Sequence, residues 1–239
     1  MMKKFGVFTI MCLIATGVLV FNFGRSFWHP YYLEFRGSRT VDDVIQKYGA
    51  DAEQRLLPYF EKASADYPPE KISMIAFKDS NILQLWAHYG DKTKFIREYA
   101  IRAASGELGP KLREGDKQVP EGIYNIDYFN PNSAYHLSMK LNYPNQFDLK
   151  YAKAEGRDRP GTNIFIHGKA VSIGCLAMGD AAIEELFTLS HTVTRSNIKI
   201  VIAPSDPLKG KMTPPPNSPE WVQELYQQIE TEINAIRVN

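Results

Sequence analysis

The stretch Asn163 to Asp180 reads NIFIHGKAVSIGCLAMGD and places a histidine, His167, eight residues before a cysteine, Cys175, with a glycine beside each. A thiol near neutral pH is mostly protonated, so a cysteine nucleophile needs a base or a nearby positive charge to become a thiolate. An imidazole with an ordinary pKa of about 6.5 is such a base. Gly174 lets the backbone approach a substrate closely, and the N–H groups around Gly174 and Cys175 are candidates for stabilising an oxyanion. On a continuous helix the two residues would stand roughly 12 Å apart along the axis, beyond hydrogen-bond reach. The β-branched and aromatic run before His167, followed by Gly168 and Gly174, instead predicts a strand end and a tight return that brings ring and thiol together. The same residues also fit a buried cysteine beside a core histidine, and spacing alone does not separate the two readings.

The compartment gives the thiol its meaning. The chain has 239 residues, 44% hydrophobic and 12% aromatic, enough for one domain with a proper core and appendages. A formal charge of +1 supplies no basic field, so nucleic acid is not an expected partner. Lys3 and Lys4 precede an uncharged, mostly apolar run from Phe5 to Phe23. As a helix that run would cover about 28 Å, close to a bilayer core. It is longer than a short cleavable signal and no small-x-small site follows it, so the expectation is an uncleaved anchor, with a cleaved signal peptide as the alternative. The two lysines would face the cytoplasm and the rest would be exported. Cys12 lies inside this run in the context TIMC, without the small residues that precede a lipidated cysteine, and reads as apolar filler. Cys175 is then the one exported cysteine of the chain, either inert or reactive.

Elements that must position the pair follow from pattern. Thr40 onward shows helix-like apolar spacing, interrupted at Gly49 and Pro58, which predicts two short helices. Lys71 to Phe77, Ile82 to His88 and Thr93 to Ile101 read as strands, the last two joined by a turn at Tyr89 to Lys92. IYNIDYF and AYHLSMKLNYP are further extended runs, Lys150 to Gly161 is polar and charged, and Asn163 to His167 is a strand. Asp180 caps a helix through Leu189, Ile198 to Ala203 is a strand, Pro204 to Pro219 a proline-rich linker, and Glu220 to Ile236 an amphipathic helix. The centre is mostly β, with helices at both ends.

IFIHGKAVSIGCLAMGD resembles the active-site signature of YkuD-type L,D-transpeptidases, in which an H-G pair precedes an S-x-G-C element. GELGPKLREGDKQVPEGIYNI and NPNSAYHLSMKLNYPN are similar to blocks of the YafK-like branch, and together the resemblance runs from about Ile72 to Ala203. It implies a β-rich YkuD-like catalytic domain, and with the helices and leader read above the expected whole is an α+β fold: that domain with flanking helices and an N-terminal membrane-spanning segment. The expected division is 1–24 for the anchor or signal peptide, 25–70 for a helical segment, 71–203 for the catalytic domain, and 204–239 for the linker and last helix. The resemblance implies Cys175 as nucleophile and His167 as proton donor and acceptor, with Gly168, Ser172 and Gly174 shaping the site. Many relatives carry S-H-G-C and an arginine two residues after the cysteine, where this chain has Ile173 and Ala177.

The implied reaction is acyl transfer on peptidoglycan stem peptides through a thioester at diaminopimelate, in the periplasm, with no metal or organic cofactor. A wall-linked protein is a further possible partner, and the inner membrane is a contact through the leader. The alternatives are a hydrolase of the same fold (an L,D-carboxypeptidase, or an amidase releasing a wall-linked protein) and a non-catalytic wall-binding module. The histidines form no HExxH or Cys/His ligand pattern. His136 is a candidate to face substrate. Tyr124 and Tyr143 are expected to pack, and Lys150, Lys153, Arg157 and Arg159 either hold substrate carboxylates or form a solvated loop. His88 is assigned to a hairpin and His191 to a helix end.

Overall fold

A computed structural model describes residues 2–238, without the side chains of 2–9, 22, 23 and 26. Three helices come first: α1 (Met2–Phe23), α2 (Arg25–Arg36) and α3 (Val41–Lys62). The strands β1 (Lys71–Phe77), β2 (Ile82–Tyr89), β3 (Lys92–Ala100), β4 (Gly122–Tyr124), β5 (Ile126–Asn130) and β6 (Ser138–Leu141) follow. Helix α4 (Gln146–Ala154) precedes β7 (Phe165–His167) and β8 (Leu176–Ala177), and α5 (Asp180–Val193), β9 (Ile198–Ala203) and α6 (Val222–Val238) complete the chain.

Two sheets share one core. The first has the order β3-β2-β1-β9-β4 and the second β5-β6-β7-β8. β1 lies at the centre of the first sheet, parallel to β9 and antiparallel to β2. Its run KISMIAF is apolar on both faces because both are covered. Ile72, Met74 and Ala76 face the main core with α3, α5 and the second sheet, while Ile75 and Phe77 face the apolar stripe of α6: Val222, Leu225, Tyr226, Ile229, Ile233 and Ile236. The C-terminal segment is thus packed onto the same sheet that carries β1.

IYNIDYF is two strands in two sheets, not one. Asn125 is the pivot: its N–H donates to Asn142 Oδ1 at 2.9 Å, and its carbonyl accepts from Asn142 N at 3.0 Å. Tyr124 therefore ends in the first sheet and Ile126 begins the second.

The two short helices expected after Thr40 are one. Thr40 and Asp43 form a capping box at the start of α3. Gly49 is not a break but a close approach, where an added Cβ would lie 3.3 Å from Ile45 Cγ2 and 3.8 Å from Thr188 Cγ2 of α5. Pro58 costs the helix a donor and, in an interior position, about 3 kcal/mol. Burial of Leu56 and Phe60 offsets this at roughly 1.5–3 kcal/mol each. The polar stretch after Tyr143 likewise holds a helix, α4, signalled by the reciprocal Asn145–Asp148 box.

The expected anchor, Phe5 to Phe23, falls within α1, and the side chains of 5–9, 22 and 23 lie outside the described residues. Among the described residues no helix is long and apolar enough to cross a membrane.

Candidate active site

Strand pairing assembles the site. β6 runs antiparallel to β7 with Ser138 opposite His167, and β8 runs parallel to β7 with His167 opposite Ala177. Cys175 immediately precedes β8, so the loop 168–175 returns the chain beside β7 in the parallel sense. The tight return expected from sequence is therefore a short crossover. A cavity of about 400 Å³ opens onto both His167 and Cys175. Its other walls come from the loop 130–135 before β6, from Ser138 and Phe165, and from Val171, Ser172 and Ile173. None of these lining residues is charged.

His167 is 3% exposed. Its Nδ1 stands 2.6 Å from the carbonyl oxygen of Gly168. A carbonyl only accepts, so Nδ1 carries the hydrogen and Nε2 keeps its lone pair. The Tyr135 ring lies against the imidazole, centroids 4.8 Å apart and planes 37° apart. Burial pushes the imidazole below its usual pKa, and the Gly168 hydrogen bond opposes this in part. Gly168 is required by crowding, since an added Cβ would fall 2.7 Å from the Tyr135 carbonyl oxygen and 2.8 Å from Asp180 Oδ1. Asp180, at the start of α5, does not cap its own helix. It accepts the Lys169 backbone N–H at 2.9 Å and pairs with the Lys169 ammonium, clamping the loop just beyond Gly168.

Cys175 is half-buried, and its thiol is directed at the Asn163 carbonyl, 3.8 Å away. Burial raises its pKa, against the smaller opposing effects of the Phe165 backbone and the Lys111 charge. Both shifts favour the uncharged forms of the imidazole and the thiol. Lys111 belongs to the G-P-K block quoted above, where its role was not apparent. Its buried ammonium is bonded to Asp116 and to the Arg113 carbonyl.

Ser172 holds the Cys175 backbone from both sides: its Oγ accepts Cys175 N–H at 2.9 Å and donates to the Cys175 carbonyl at 2.6 Å. Gly174, at φ +92°, has a conformation that L side chains rarely adopt. Its N–H donates to Ser105 Oγ at 2.6 Å, and Ser105 in turn donates to the Lys117 carbonyl at 2.7 Å. The amides expected to face an oxyanion already have partners here. The Gly174 and Cys175 amides are both taken by hydroxyls, and neither is a spare donor.

His136, expected as a candidate to face substrate, is engaged by other side chains and does not line the cavity. At φ +77° it turns away from the cavity, its Nε2 is 2.8 Å from Glu184 Oε1, and its ring meets Tyr48 of α3. The neighbouring Tyr135 lines the cavity instead. Nothing in the pattern AYH distinguishes the two, because the choice depends on a left-handed backbone at a loop position. Lys150, Lys153, Arg157 and Arg159 do not line the cavity. Lys150 sits by Glu224, Arg157 by Glu155, and Arg159 by Glu114. Tyr124 and Tyr143 are packed, as expected. His88 bonds to Ser73 within its hairpin pair, and His191 lies in the last turn of α5.

Comparison with known proteins agrees with the fold. Residues 75–202 match the family model of the YkuD L,D-transpeptidase catalytic domain. YafK of Escherichia coli (strain K12), which carries a provisional L,D-transpeptidase name, is 37% identical over 113 residues, 46% of this chain and 44% of that protein. The match thus spans less than half the length of that relative. Among solved structures, the helical cell shape determining protein Pgp2 from Campylobacter jejuni aligns with a TM-score of 0.47 and 21% identity, over 57% of this chain and 48% of that one. Bd1075 from Bdellovibrio bacteriovorus aligns at 0.41 and 17%, over 69% and 54%. Since the matched segment takes in more than half of the sequence, this chain belongs to the YkuD family of L,D-transpeptidase catalytic domains.

Proposed function

We propose that the chain is a cysteine acyltransferase acting on peptidoglycan stem peptides, with Cys175 as nucleophile and His167 as general base and acid. The observation that supports this most directly is the shared cavity. One space of about 400 Å³ gives a bound peptide access to the thiol and to an imidazole whose Nε2 is kept in the proton-accepting tautomer. Nε2 takes the thiol proton as sulfur attacks the carbonyl at the L-centre of diaminopimelate. The imidazolium returns that proton to the amine of the departing D-alanine, leaving a thioester on Cys175. An acceptor amine, deprotonated by the same imidazole, then attacks the thioester and releases the thiol.

Assembled peptidoglycan lies outside the inner membrane, so an enzyme that acts on it would work in the periplasm, in line with the export expected from the leader. The finer reading, a retained tether to the inner membrane, rests on the Phe5 to Phe23 run alone.

A second reading, hydrolysis, has one specific observation behind it. The cavity lining holds no charged side chain, and Ile173 and Ala177 stand where many relatives place a histidine and an arginine, so two groups that could fix an acceptor are missing. Water would then resolve the thioester to a trimmed peptide. The test is a tetrapeptide muropeptide given to the chain with and without an added D-amino acid, with products identified by mass. Transfer predicts an exchanged tetrapeptide whose yield grows with amine concentration. Tripeptide alone, even at high amine, establishes the hydrolase instead.

A further inference from the structure

We propose that Arg39, in the segment between α2 and α3, is a positioning residue that fixes one wall of the substrate cavity; the proposal deepens the acyl-transfer reading and rests on it. Arg39 lies well before the matched catalytic span of 75–202. It nevertheless grips the loop that joins β5 to β6, some ninety residues on.

The grip is double. The Arg39 backbone N–H donates to Asn132 Oδ1 at 2.8 Å while its carbonyl accepts from Asn132 Nδ2 at 2.7 Å, a reciprocal pair of the kind one strand makes with another. The guanidinium Nη2 donates to the Pro131 carbonyl and also reaches the His136 carbonyl at 3.3 Å. These two carbonyls bracket Asn132, Ser133, Ala134 and Tyr135, and the last three of the four line the cavity. One cation thus ties both ends of the cavity wall to the N-terminal segment.

Other contacts hold the same wall. Arg25 of α2 donates to the Ala134 carbonyl at 3.1 Å, in the middle of the wall. Behind it, the His136 ring is held by Glu184 of α5 and Tyr48 of α3. In front, the Tyr135 ring lies tilted against His167, with centroids 4.8 Å apart. Hydrogen bonds from a charged donor are stronger than neutral ones, and a loop freed of them samples many conformations. Without Arg39 the wall would have to be ordered anew by each incoming peptide, which raises KM without altering the thiol or its base. The N-terminal helical segment is therefore part of the catalytic unit as well as a connection to the leader.

The experiment compares the full-length wild-type chain with Arg39→Ala and, as a second variant that leaves the guanidinium in place, Asn132→Ala. Hydrogen exchange is followed at the amides of 132–137 and at those of β1 and β9. Loop amides are expected to exchange about tenfold faster or more in both variants, as loss of one or two such bonds implies, with β1 and β9 unchanged. With a tetrapeptide donor, KM rises by about tenfold and kcat stays within about twofold, while the pH profile of Cys175 alkylation by iodoacetamide is unmoved. Unchanged loop exchange in both variants overturns the proposal, as does a loosened loop with an unchanged KM. A wild-type chain that leaves the tetrapeptide intact refutes the acyl-transfer reading, whatever the exchange result.

Discussion

His167 donates its Nδ1–H to the carbonyl of the very next residue, Gly168, across 2.6 Å, and that bond leaves Nε2 as the ring position that can receive a proton. The acid limb of catalysis follows from it. The base must be neutral to work, and burial holds the imidazole below its usual pKa. The rate of Cys175 acylation should therefore stay flat as pH falls through about 6.5 and drop only at a lower value. Burial raises the thiol, so direct ionisation adds nothing until the pH passes the ordinary thiol range. An acid limb centred at or above pH 7 in an acylation pH profile contradicts this assignment.

Removing either partner should separate their roles. His167→Ala is expected to slow acylation on the order of 100- to 10,000-fold, the usual cost of losing a general base. Cys175→Ser keeps the volume but replaces a group that ionises readily with one that does not, so a folded protein should take up no covalent mass from a thiol-acylating carbapenem. Intact-mass spectrometry reads both. Full activity in a folded Cys175→Ser protein rejects the thioester.

The hydroxyls that hold the nucleophile loop give a third prediction. Ser172→Ala removes both bonds to the Cys175 backbone and leaves its N–H without a partner, at a cost of about 1–3 kcal/mol. Acylation should fall at least tenfold as the sulfur loses its fixed approach. Ser105→Ala should slow the reaction too, by loosening Gly174. A faster Ser105→Ala enzyme would show instead that the hydroxyl blocks the Gly174 amide from serving as an oxyanion donor.

Legibility followed the range of the interactions. The β1 and β9 runs and the apolar stripe of α6 are local patterns of burial, and they read directly from sequence. His167 and Cys175 were readable as a possible pair because strand residues and two glycines flank them, although the parallel sense of their connection was not, since only the partner strand fixes it. Gly49 and Pro58 misled because local propensity predicts breaks that packing against α5 overrides. The pattern AYH does not say which of two adjacent rings faces the cavity: Tyr135 lines it, while His136 stands at a positive φ that no local pattern announces. Arg39 left no local sign at all: its partners are three carbonyl or amide groups of a loop brought to it by the fold.

Ile173 gives the last prediction. It is 73% exposed, although it is a large apolar side chain on the lining of the cavity, next to the Ser172 that holds Cys175. Isolated exposed apolar residues need no explanation, but one at the rim of a reactive cavity has surface to lose when a peptide binds. Covering the side chain beyond its β-carbon removes three carbons from water, worth about 0.8 kcal/mol each if fully buried. Partial cover makes about 1–1.5 kcal/mol the reasonable figure, or roughly a fivefold to tenfold effect. Ile173→Ala should therefore raise the KM for a tetrapeptide donor by about that factor and leave kcat nearly unchanged, because the side chain bears no group that acts on the reacting atoms. Steady-state kinetics over a range of donor concentrations decides it. A lowered kcat at constant KM would place Ile173 in the chemical step, and KM and kcat both unchanged would put the bound peptide away from this side chain.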